Sequence, residues 1–233
     1  MRTVLLVCAF TAFAIGSAAK SKTSYRPVGI SPALRSQYEA ALSELAGGRT
    51  EAAANLARLG TLPDHIYVQF EGPAPCVQAG RNALSNWNVT LGTDLFVEDA
   101  TRSTVTVHFQ NDVFYGSERV AGLNSWTREL DSYGFVVIYG QIQVATKLPW
   151  GRSLSKSQIE KTTMHELGHL LGLPDESSSD QMMGPLAADR ETRAQMPEVE
   201  SILEYARQMK QLADSIRPAP VSRVPKIYHL KEG

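Results

Sequence analysis

Apolar residues recur along this chain with two different spacings. Residues 104–109 put Val105, Val107 and Phe109 on one side and Thr104, Thr106 and His108 on the other, the two-residue period of a strand with one buried face. Shorter runs at 66–70, 95–97 and 122–126 read as further strands, and the long apolar run at 135–144 reads as a strand central in the sheet. Elsewhere the spacing is helical. Ser31 and Pro32 supply an N-cap and a first-turn proline for a helix carrying Leu34, Tyr38, Ala41, Leu42 and Leu45. Gly47 and Gly48 end it, and Thr50 caps a second helix with Ala53, Leu56 and Leu59. Residues 77–87 form a third, apolar at Ala83, Leu84 and Trp87. A last helix over about 197–216 carries Val199, Ile202, Leu203, Ala206, Met209 and Leu212 at helical spacing.

Between the long strand and the last helix lies a helix that carries chemistry. Ile159, Thr163, Leu167 and Leu170 mark its core-facing stripe, with His165 and His169 on the opposite side. Ser157 with Glu160, or Ser155 with Gln158 in a competing frame, opens it with a capping box. Successive helix residues turn by roughly 100°, so the two histidines stand only about 40° apart. Both imidazoles reach one zinc ion, and Glu166 projects beside them, where a carboxylate can act on an activated water. Gly172 permits a backbone reversal and Pro174 keeps the helix from resuming. The chain then folds back and offers Asp175 as a third protein ligand. Three protein ligands and one open position make a catalytic zinc site rather than a structural one.

Composition bounds the setting. Residues 1–19 combine Arg2, an apolar run from Val4 to Ile15 and the small residues Gly16, Ser17, Ala18 and Ala19, the pattern of a secretory signal peptide. The run is too short to span a bilayer, so a secreted protein with no integral membrane span is expected. Residues 20–60 are a helical N-terminal extension, either a prosegment or a brace. Residues 61–216 form the catalytic domain, and 217–233, with Pro218, Pro220 and Pro225, an extended C-terminal tail. The formal net charge of −1 is spread along the chain, with no basic stripe for nucleic acid. Beyond the leader only Cys76 remains, so stability must come from the core, a metal or both.

After Asp175 and a polar loop comes Gln181-Met182-Met183-Gly184-Pro185. HExxHxxGxx, a third ligand and a methionine turn together resemble the metzincin clan of zinc endopeptidases, with spacing most similar to the matrixins. Asp175 stands where matrixins carry histidine, and aspartate there is similar to the snapalysin pattern. Pro185 occupies the place that supplies a tyrosine ligand in astacins and serralysins, so no such ligand is expected. Only the zinc segment and the Met-turn are specific.

The resemblance implies an α+β catalytic domain with a twisted mixed β-sheet, a zinc-binding active-site helix, a Met-turn and a C-terminal helix. It implies Glu166 as general base and Met183 as the hydrophobic floor beneath the ligands. It also implies a protein or peptide substrate extended along an edge strand, for which 120–126, with Gly122, Leu123 and Asn124, is the candidate. Pro185 and Leu186 would shape an apolar pocket beyond the Met-turn. One catalytic zinc is expected, because His108 alone cannot supply the histidine-rich structural site of matrixins. No acidic loop of EF-hand type indicates Ca2+, which stays open through backbone carbonyls. Cys76, flanked by Pro73, Ala74 and Pro75, lacks the matrixin switch motif, so a small buried thiol between strand and helix is expected. The expected protein is a monomeric secreted zinc endopeptidase. The alternatives are a non-catalytic zinc-binding module on a protease scaffold and a zinc hydrolase of a non-protein amide or ester.

Overall fold

The alternating run at 104–109 forms a strand whose Val105, Val107 and Phe109 are buried, as the alternation requires. This computed structural model describes residues 31–148, 151–176, 182–184, 196–216 and 230–232. The signal-peptide stretch, Pro185, Leu186 and most of the tail lie outside the described residues. In chain order the elements are α1 (Pro32–Ala46), α2 (Thr50–Leu59), β1 (Ile66–Glu71), α3 (Ala74–Leu91), β2 (Phe96–Glu98), β3 (Val105–Gln110), β4 (Val113–Tyr115), β5 (Glu118–Val120), β6 (Gly122–Leu130), β7 (Val136–Ala145), α4 (Lys156–Leu171), α5 (Met196–Ile216) and β8 (Leu230–Glu232).

The fold is α+β around a mixed six-stranded sheet of order β2-β1-β3-β7-β6-β8, with β4 and β5 pairing as a separate hairpin. β2, β1, β3 and β7 run parallel, while β6 is antiparallel to β7 on one side and to β8 on the other. β7 is central as expected, but it is not apolar throughout: Ile138 and Ile142 are buried while Tyr139 and Gln141 face outward. Across that outer face Gln69 bonds Thr106 at 2.9 Å and His108 approaches Gln141 at 3.1 Å. The inner face packs with α3 and α4 into one core that includes Trp87, Val107, Ile142 and Leu167.

Several sequence readings need correction. Thr50 is the first residue of α2, and the cap position falls on Arg49 without a side-chain bond. α3 starts earlier than residue 77, so Cys76 sits in its first turn, buried as expected, and burial raises the thiol's pKa. On α4 the capping box is Ser155 with Gln158. Glu160 instead accepts from Asn82 and Asn86 of α3, at 3.1 and 2.7 Å. On α5 the buried stripe runs through Val199, Ile202, Tyr205, Met209 and Ala213, with Leu203 exposed. The tail is not wholly apart from the fold, because Leu230–Glu232 adds a strand to β6.

The N-terminal hairpin is integrated with the rest of the molecule. Leu34, Ala41 and Ala57 share a buried cluster with Tyr205, Met209 and Ala213 of α5. Buried Arg128 of β6 donates to the carbonyls of Leu59 and Leu170, at 3.3 and 2.9 Å, joining the end of α2 to the end of α4.

Candidate metal centre

α4 is packed on nearly every side. Ile159, Thr163, Leu167 and Leu170 are buried as the stripe predicts, but Met164, Gly168 and Leu171 are buried too. His165 and His169 therefore occupy a partly buried notch. Gly172, in the left-handed region at φ 94°, ends the helix and turns the chain back. The turn delivers Asp175 Oδ1 to 3.0 Å from His165 Nε2 and 3.4 Å from His169 Nε2, and the two Nε2 atoms are 3.1 Å apart.

The protonation of the imidazoles follows from their other nitrogens. His165 Nδ1 lies 3.2 Å from the Met182 carbonyl and His169 Nδ1 lies 2.8 Å from the Leu173 carbonyl. A carbonyl only accepts, so each Nδ1 carries a proton, and each ring presents its Nε2 to the notch. Burial, and then the neighbouring His169, lower the pKa of His165, which favours its neutral form. Two ring nitrogens and one carboxylate oxygen thus converge within 3.4 Å of one another. Zinc bonds of about 2.0–2.1 Å at tetrahedral angles require ligand atoms roughly 3.3–3.4 Å apart, close to the separations found. His165, His169 and Asp175 form a group able to hold a metal ion.

Glu166 lies against β6. Its Oε2 accepts from Asn124 Nδ2 at 2.7 Å, and Gly122 passes so close that a Cβ there would sit 2.1 Å from Oε1. Only 5% of the residue is exposed. Burial pushes its carboxyl up to about 8, against the Asn124 bond and with a small addition from Asp175. Gly122, Leu123 and Asn124 line one cleft with His165, Glu166, His169 and Asp175. Their strand pairs with β7 along its whole length, whereas β8 covers only Trp126 to Arg128 on the other side. Among the described residues, 122–125 have an unpaired outer edge. Met183 is buried, and its sulfur packs on Gly168, where an added Cβ would come within 2.6 Å.

Some of the site was not read from the sequence. Asn124 stood there only as part of an edge strand, not as a partner of Glu166. Lys161 and Thr162, one turn before His165, line a second pocket beside Glu166. Pro32 of α1 lines the cleft that holds the two histidines. The carbonyls of Leu173 and Met182 carry no side-chain signal at all. His65 bonds the Asp94 carbonyl at 2.9 Å and His108 pairs with Glu71 at 3.0 Å, both apart from the notch. No protein-family model matches the chain, and no curated protein matches it.

Proposed function

We propose that this chain is an exported zinc-dependent endopeptidase with Glu166 as general base. The observation that carries the reading is the convergence of two imidazole Nε2 atoms and one carboxylate oxygen beside a buried glutamate. His165, His169 and Asp175 would hold the zinc, with a fourth position left open. When bound, the ion supplies Lewis acidity, lowering the pKa of water and polarising a carbonyl. The remaining work belongs to the chain. A cation held beside Glu166 favours its ionised form, and in that form Glu166 would take the proton of the attacking water and return it to the leaving amine. Asn124 occupies Oε2, which leaves Oε1 for that proton.

Residues 122–125 offer backbone N–H and C=O groups along the cleft, where an extended peptide can pair as an added strand. A small ester or amide has no such ladder to offer, so the open edge favours a polypeptide substrate. A module that only binds zinc has no need of a glutamate held by a dedicated asparagine. No helix of the described residues is long and apolar enough to cross a membrane.

The test is digestion of casein by the purified chain, with and without a zinc chelator. Digestion should stop on chelation and return with added zinc. Glu166→Gln should keep the metal while turnover falls on the order of 10²-fold or more. Chelator-insensitive digestion, or near-normal turnover by that variant, rules the mechanism out.

A further inference from the structure

We infer that helix α1 is a working part of the metal centre: its first turn holds the backbone turn that carries Asp175 to the histidines. The inference rests on the metal reading above. The Asp175 side chain is 77% exposed, so no packing around the carboxylate fixes it. Its position depends on the backbone of residues 172–176, and three grips hold that backbone.

The first grip is the end of α4, where Gly172 N–H donates to His169 and Leu173 N–H to Gly168, at 2.9 and 3.1 Å. The second is the methionine segment, through Glu176 N–H to the Met183 carbonyl at 2.8 Å. The third is α1. Buried Ser31 donates its N–H to the Gly172 carbonyl at 2.8 Å. Leu34 lies so tightly over Gly172 that a Cβ there would be 2.0 Å from Leu34 Cδ1. The Tyr205 hydroxyl donates to the Leu34 carbonyl at 2.7 Å and fixes α1 against α5.

The same turn supplies Leu173 O, the acceptor that orients His169. The grip of α1 therefore bears on two of the three ligands. A hairpin packed on the far side of the core would touch none of these atoms, and a segment built only for removal would take part of the ligand frame away with it. Groups that orient metal ligands from behind typically contribute about 10- to 100-fold in affinity.

The experiment measures zinc affinity by competition with a chromophoric chelator, on full-length variants at a temperature where circular dichroism shows each folded. Leu34→Ala should raise the Kd for zinc about 10- to 100-fold, and Leu34→Met, which refills the volume, should largely restore it. Met209→Ala removes bulk from the same cluster where it faces Gly60, not Gly172, and should bind zinc like the wild type. Equal affinity in Leu34→Ala, or equal loss in Met209→Ala, overturns the inference while leaving the metal reading intact. A wild-type chain that takes up no zinc overturns both. Should Leu34→Ala fail to fold, Tyr205→Phe loosens α1 by one hydroxyl. It is expected to weaken zinc binding several-fold, and wild-type affinity in it counts against the role of α1.

Discussion

Gly122→Ala is the smallest change that reaches the proposed base. Gly122 is not among the glycines with a left-handed backbone, so alanine meets no conformational strain there. The new methyl would stand 2.1 Å from Glu166 Oε1, 2.7 Å from Cδ and 2.8 Å from Cγ. Ordinary contact needs roughly 3.5 Å, so the carboxylate must retreat by more than about 1 Å. It cannot swing out as an exposed glutamate would, because it is buried and Asn124 holds its other oxygen. The whole end of the side chain has to move, not only one atom. A misplacement of about 1 Å in a reacting group typically costs on the order of 10²-fold in rate, or about 2.7 kcal/mol. The zinc ligands lie on other residues and need not shift. The assay is kcat/KM on an internally quenched peptide, with zinc content and melting temperature measured on the same preparation. The expected pattern is full zinc, a small change in melting temperature and a rate loss near a hundredfold. Wild-type turnover with the fold intact would falsify the placement of the base, and loss of zinc would show a general collapse of the site instead.

Asp175→Ala should lose most of the metal, and stoichiometric zinc by elemental analysis of that variant would move the third ligand elsewhere, with Glu176 the first residue to examine. Stability should also depend on pH in the metal-stripped protein. Burial pushes Glu166 up to about 8, so between roughly pH 4.3 and 8 the native state keeps a proton the unfolded chain has released, and stability falls as pH rises. Below about pH 6.5 the lowered pKa of His165 acts in the opposite direction, because the unfolded histidine gains a proton that the native one refuses. The unmixed window is therefore about pH 6.5 to 8, where urea unfolding of the chelated protein should show a loss of up to about 1.4 kcal/mol per pH unit. A flat or rising profile there refutes the buried, neutral glutamate.

What was legible in the sequence is what side-chain periodicity and short spacing encode. Val105, Val107 and Phe109 announced their strand, and the i, i+4 pair His165 and His169 announced a shared ligand face. The turn at Gly172 was legible because glycine and proline limit backbone angles directly. The β4–β5 hairpin was not, since two three-residue strands are too short to establish a period. Nor was the pairing of Asn124 with Glu166, which bridges 42 positions of sequence and depends on how β6 lies across α4. The competing capping frames at Ser155 and Ser157 differed by two residues, and tertiary contact decided between them when Asn82 and Asn86 took Glu160. The carbonyls that set the histidine tautomers belong to the backbone, which looks alike at every position.

The buried guanidinium of Arg128 has a dynamic consequence. It bonds the last turn of α2 and the last turn of α4 at once, and a buried cation stripped of its carbonyl partners is costly. Opening either helix end would expose that cost, so the two should not fray independently. Amide hydrogens at the end of α2 should then exchange with deuterium together with those at the end of α4, as one cooperative unit. On this view the extension and the metal-binding helix open and close as a single piece.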